Sequence, residues 1–317
     1  MPFLSGKPRR YLAATAVLVA AVAVGIVGAT FAFGSDKPAR LGAPDYSTLL
    51  LDTTTSVRDS QVMDKVIVPG FEARYPGITV KYVAVGSGAA LAAAAAGNCD
   101  AVIVHSPADE LQLLASGGLT MRLPFAYNYF IIVGPKGDPA HVAKATTAIG
   151  AFKRIWAYGQ AVSKVNPKKV VFVSRGDNSG TNAKELQLWT MAGHTIPASP
   201  PSWYIQTGTG MLATLQVAAQ KRAYTLTDTA TWLFNKSTLS PLTPLLTNRR
   251  NLLNQYSIDL VNQAEHNDVN STGAELLAEW LVSSVGQKAL AGYKVSGHQM
   301  FYPNSYHVSI TPLPPAP

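Results

Sequence analysis

Four times along the chain an apolar, β-forming run ends in a short loop of glycine, serine and threonine that opens a helix. The stretches are "LDTTTSVRDS" (51–60), "AVGSGAAL" (84–91), "VSRGDNSGTNAKE" (173–185) and "QTGTGMLATL" (206–215). This repeated strand–loop–helix grammar constrains the fold more than any other feature. It predicts parallel strands covered by helices on both faces, an α/β architecture. It also constrains the chemistry. A helix N-terminus presents free N–H groups and the positive end of its dipole, so each loop favours an anion. Hydroxyls add uncharged donors, and glycine lets the backbone approach closely. A single Ser/Thr loop before a helix is ordinarily an N-cap and nothing more. Four in one chain point to an oxyanion site. Neither G-x-x-x-x-G-K-[ST] nor G-x-G-x-x-G occurs, so a nucleotide is not the expected ligand.

The rest of the chain follows the same rhythm. "DSQVMDKVIVPGFEARY" has helical spacing, with Pro69 expected to kink or break it. "ITVKYVAV" and "DAVIVHS" read as strands, and "PADELQLLASGG" as a helix. "YNYFIIVGP" (127–135) is a strong strand closed by Gly-Pro. A second set follows, with helices near 142–160, 182–192 and 210–221 and strands at 170–174 and "AYTLTD". After a proline-rich stretch, 238–248, "NLLNQYSIDLVN" reads as a strand and "GAELLAEWLVSSVGQKALAGY" as one helix. Strands at 127–135 and 252–262 flank the middle set, which predicts two lobes joined by two crossing strands and a cleft between them. The boundaries expected are 47–131 plus 256–310 for the first lobe and 132–255 for the second.

The N-terminus stands apart. "MPFLSGKPRR" carries Lys7, Arg9 and Arg10, and residues 11–33 carry no charge. That is an export signal or an N-terminal anchor, since about 20 apolar residues span a bilayer. Residues 34–46 read as a linker and 311–317 as a proline-rich tail. Setting aside those three cations leaves 23 basic against 18 acidic residues, a mild +5. No basic run marks a nucleic-acid face. The single cysteine, Cys99, precludes an intrachain disulfide and reads as buried. The six histidines are scattered without ligand spacing, which argues against a metal cation site.

Arg175 can add a bidentate clamp to the anion, or it can pair locally with Asp177. No G-x-S-x-G elbow is present. His105 ends a strand, where it is either a base or a packed residue. No nucleophile–base pair accompanies it, so catalysis is not expected.

Several segments together resemble the tungstate-binding component of tungstate ABC transporters, the TupA family of type II periplasmic solute-binding proteins. They are "TTTSVRDS", "FEARYPGITVKYVAVGSG", "DAVIVHSPADE", "YNYFIIVGPKGDPA", "FVSRGDNSGTNAKELQLW", "AYTLTDTATW" and "LLNQYSIDLVN", in family order over about residues 48–300. The resemblance implies a two-lobed type II binding-protein fold, each lobe a mainly parallel sheet flanked by helices, with the ligand in the cleft. It implies capture of tungstate, with molybdate as the neighbouring choice, and delivery to an ABC permease with a cytoplasmic ATPase. The protein would be periplasmic or otherwise extracytoplasmic, monomeric, and attached to a membrane only through its N-terminal segment. A membrane-tethered oxyanion sensor is the alternative. By position, Thr53, Thr54, Thr55, Ser56 and Ser87 would supply donors from the first lobe. Arg175, Ser179, Gly180, Thr181 and Gly210 would complete the site from the second. Asp177 would repel a dianion and is expected to hold Arg175 or its loop. The chain departs from the family pattern at Tyr129, Asn182, Thr209 and Thr229.

Overall fold

The computed structural model describes residues 47–247 and 251–304; the expected signal or anchor, the linker and the tail lie outside them. The first half alternates as the sequence predicts. It comprises β1 (Thr48–Thr54), α1 (Thr55–Asp59), α2 (Val68–Arg74), β2 (Thr79–Val85), α3 (Ser87–Ala95), β3 (Ala101–Val104) and α4 (Pro107–Ala115). β4 (Leu119–Pro135) then leads into α5 (Ala148–Val165), β5 (Phe172–Ser174), α6 (Gly180–Met191), β6 (Tyr204–Gln206) and α7 (Met211–Lys221). β7 (Thr225–Asp228), α8 (Thr229–Asn235) and β8 (Leu242–Leu246) follow, and β9 (Leu253–Val261), α9 (Ser271–Val282) and α10 (Ser284–Gly292) return the chain to the first half.

Parallel pairing holds for β2–β1–β3 and for β5–β6, where the apolar strand and following helix recur. Around the crossing strands the pairing is antiparallel. β9 lies between β3 and β4, and β7 and β8 both pair β4. The sheet is therefore mixed, because β4 and β9 run in opposite directions through its centre. At 17 residues β4 serves both halves: its beginning pairs β9 from Leu119 to Tyr129, and its end pairs β7 and β8.

Buried apolar residues form four clusters among the described residues, two of them large. Leu49, Phe71, Ile103, Phe125, Tyr256 and Leu277 belong to one core, and Phe130, Phe152, Phe172, Trp189 and Trp203 to another. Each core sits between sheet and helices, where removing apolar area from water drives packing.

Three local expectations are refined. Pro69 sits in the first turn of α2, directly after a π-helical turn at Met63–Ile67, so the helix changes type at the proline instead of ending there. The last predicted helix is two: Ser283 turns extended (ψ 159°), and its hydroxyl caps α10 by accepting from Gly286 N at 3.1 Å. The proline-rich stretch holds an unforeseen strand, β8; among the described residues it pairs β4 alone, so Pro244 lies on an edge, where proline is tolerated. Among the described residues, no helix is long and apolar enough to cross a membrane.

Candidate functional site at the seam between the two halves

The loop after β1 is held by its own hydroxyls. Thr53 donates to Ile103 O at 3.0 Å, a bond within the sheet. Thr54 caps α1 by accepting from Val57 N at 3.4 Å and bonds Ser56 Oγ at 3.0 Å. Thr55 Oγ1 accepts from Met211 N, at the start of α7, at 3.3 Å. A Cβ at Gly210 would lie 3.1 Å from Thr55, so this helix start fits closely against the first half. Ser56 Oγ meets His105 Nε2 at 3.1 Å. Three more bonds cross the seam, from Leu212 N to Asp59 Oδ2 (3.0 Å), from Thr231 Oγ1 to Ser56 O (3.3 Å) and from Asn235 Nδ2 to Asp59 O (3.1 Å).

The loop after β5 is built differently. Arg175 is 1% exposed. Its Nε and Nη2 donate to Asp177 Oδ2 at 3.1 and 2.5 Å, while Asp177 Oδ1 accepts from Ser179 N at 3.2 Å. Asp177 thus holds both the arginine and the loop. Ser179 caps α6, accepting from Asn182 N at 3.2 Å. Within the glycine–hydroxyl loops and the helix starts they open, three buried donors carry no hydrogen-bond partner: Arg175 Nη1, Thr181 Oγ1 and, across the seam, Ser87 Oγ at the start of α3. Two glycines bring these loops together. Gly88 N donates to Asn178 O at 3.2 Å, and a Cβ there would lie 2.9 Å from that oxygen. At Gly180 a Cβ would lie 2.5 Å from His105 O. Only a residue without a side chain allows either approach.

Behind the donors runs a buried polar chain that the loops alone did not indicate. His105 Nδ1 meets Asn254 Oδ1 at 2.8 Å, Asn254 Nδ2 donates to Asn128 Oδ1 at 2.8 Å, and Asn128 Nδ2 donates to Asp228 Oδ1 at 3.2 Å. Burial, and next the nearby charge of Arg175, lower His105 to about 3, so its ring is neutral. Asn254 Oδ1 can only accept, which places the ring proton on Nδ1 and leaves Nε2 to accept from Ser56. With both nitrogens committed, His105 is a positioning residue in this geometry. Asp228 caps α8 through Thr231 N at 2.9 Å, and burial raises its carboxyl. Asn254 and Asn128 stand 126 residues apart, so no local pattern could have paired them.

Within α6, Glu185 is buried. It accepts from Ser174 Oγ (2.6 Å), Tyr204 OH (2.7 Å) and Trp189 Nε1 (2.9 Å), and burial pushes its carboxyl up to about 7. Of the four departures from the family pattern, Asn182 is buried and bonds Asn178 N and Ser174 Oγ, Tyr129 is buried against Tyr127 and Tyr302, Thr229 is half-buried and Thr209 is exposed.

Residues 38–285 match the family model of the PBP superfamily domain. Over 262 residues the chain is 36% identical to the tungstate-binding protein TupA of Peptoclostridium acidaminophilum, covering 81% of this chain and 86% of that protein. Among solved structures, the tungstate ABC transporter protein from Geobacter sulfurreducens is 36% identical with a TM-score of 0.67, covering 78% of this chain and 98% of its own. The tungstate-binding TupA of Desulfovibrio alaskensis is likewise 36% identical, with a TM-score of 0.64 and coverage of 81% and 98%. The chain belongs to the PBP superfamily and, within it, to the TupA family of solute-binding proteins.

Proposed function

We propose that this protein captures tungstate outside the cytoplasm and delivers it to an ABC permease driven by a cytoplasmic ATPase. The observation that carries the reading is the set of three buried donors without partners, Ser87 Oγ, Arg175 Nη1 and Thr181 Oγ1. An unsatisfied buried polar group costs about 1–3 kcal/mol, more when charged, so three of them on loops that touch through Gly88 N and Asn178 O call for an acceptor. A tetrahedral oxyanion supplies four. Tungstate is fully ionised at neutral pH and needs only donors; Arg175 Nη1 can only donate, and the two hydroxyls can each turn an O–H toward the anion.

In this reading, residues 47–131 with 256–310 form one lobe and residues 132–255 the other, and the described arrangement is the closed one. Ser87 reaches the anion from the first lobe, and Arg175 and Thr181 from the second. The starts of α3 and α6 add their dipoles. Asp177 balances the arginine charge while its oxygens stay committed to Arg175 and Ser179, turned to the loop and not to the ligand. Sulfate has the same charge and shape, so selection against it rests on cavity size.

Calorimetric titration of the full chain in detergent with tungstate, molybdate, sulfate and phosphate tests the reading. Tight tungstate binding with sulfate silent is the expected result. If no oxyanion produces heat or competes, the three donors serve some other ligand and the assignment falls.

A further inference from the structure

At the end of the second half that faces away from the seam, three cations converge on one pocket. β5 and β7 carry Arg175 and Asp228 at their C-terminal ends; the pocket lies at their N-terminal ends, about 10–13 Å away along strands of three or four residues. The register fixes this placement. Tyr224 N donates to Val171 O at 2.8 Å, and Pro135, at the end of β4, pairs Leu242 at the start of β8. Lys136 after β4, Lys169 before β5 and Arg222 before β7 are therefore neighbours, and all three line one cavity of about 560 Å³.

Their combined charge is offset in part by the Asp138 carboxylate beside them, but by no ion pair among the described residues. The adjacent carboxylate, Asp138, is already committed: Oδ1 accepts from Val142 N (2.8 Å) and Tyr224 OH (2.9 Å), and Oδ2 from Ala143 N (2.8 Å). Lys168 and Lys221 adjoin the group in sequence and add to the positive field. Three prolines, the half-buried Tyr158 and Ser240 complete the wall. Three cations match a phosphate group, and an inorganic tetrahedral ion alone would leave most of this volume empty. The proline and tyrosine surface suits an organic body attached to that phosphate.

We propose that this pocket is a second binding site, separate from the seam, for an organic molecule bearing a phosphate group. The phosphate lies among Lys136, Lys169 and Arg222, and the organic part rests on Tyr158 and the prolines. A soluble organophosphate and a phospholipid headgroup present the same chemistry, and the test has an arm for each.

The full chain and its K136E/K169E/R222E variant are titrated with glycerol 3-phosphate and with inorganic phosphate. Both are also sedimented with phosphatidylglycerol–phosphatidylcholine vesicles against phosphatidylcholine alone. The variant leaves every seam residue in place, so binding at the seam and insertion of the N-terminal segment are common to both proteins. A milder K169Q/R222Q pair guards against misfolding of the charge-reversed chain. Glycerol 3-phosphate binding that weakens about tenfold or more in the variants supports a soluble ligand. Phosphatidylglycerol-dependent sedimentation lost in the variants supports a headgroup. If neither probe distinguishes parent from variants, the site does not exist. If inorganic phosphate binds as well as glycerol 3-phosphate, the organic part of the proposal is wrong.

Discussion

The two loops that meet at the seam look alike in sequence and differ in what they leave free. After β1, Thr53, Thr54, Thr55 and Ser56 each have a protein partner: a strand carbonyl, a helix cap, the start of α7 and His105. After β5, the arginine and Thr181 keep a buried donor unmet, as does Ser87 after β2. In the proposed reading the first loop shapes the seam and the others hold the ligand. A hydroxyl-rich motif therefore does not by itself say which of these it is; the partners decide.

The largest test of that contrast is Arg175→Ala. It removes the one charged donor and strands Asp177, and tungstate affinity should fall roughly a hundredfold, about 3 kcal/mol. An unchanged dissociation constant by calorimetry would move the site elsewhere. Ser87→Ala and Thr181→Val should each weaken binding about tenfold, about 1.5 kcal/mol, with little effect on the unfolding midpoint. Gly180→Ala should weaken binding several-fold with the fold intact, because its methyl group meets the His105 carbonyl and holds the seam ajar. Small-angle scattering would show the wider shape, and parental scattering with parental affinity would refute the explanation.

The scaffold side should respond in the opposite sense. Thr53→Val should cost about 1 kcal/mol in urea denaturation and leave tungstate affinity within about twofold. A large loss of affinity with parental stability would erase the distinction between the loops. The smallest effect concerns pH. Glu185 is raised to about 7 by burial, so the folded state tolerates it best protonated. Its contribution is full below the ordinary glutamate range and is lost as pH rises through about 7. Thermal melts should show the parent losing stability from pH 5 to 8 relative to Glu185→Gln. Parallel curves would mean that the carboxyl titrates normally.

Much of the fold was legible from the chain. Runs such as "DAVIVHS" and "ITVKYVAV" became β3 and β2 because their β-branched residues suit buried or half-buried strands, and the glycine–hydroxyl loops became helix starts by capping. Arg175 and Thr181 were visible because their motif is local. β8 was hidden by Pro244 within it, and the break at Ser283 by an unbroken apolar pattern. His105 was visible as a strand-end histidine, but its role was not, since that depends on Asn254, 149 residues away.

The sequence alone determined the α/β alternation, the parallel strand pairs, the helix caps and the family, because each rests on neighbours along the chain. Tertiary structure decided which hydroxyls are scaffold and which are unmet, that the sheet is mixed, and that Lys136, Lys169 and Arg222 share a pocket. Those facts depend on which distant backbone and side-chain groups fill a polar atom's surroundings. Burial makes each such pairing count, and no local pattern encodes it.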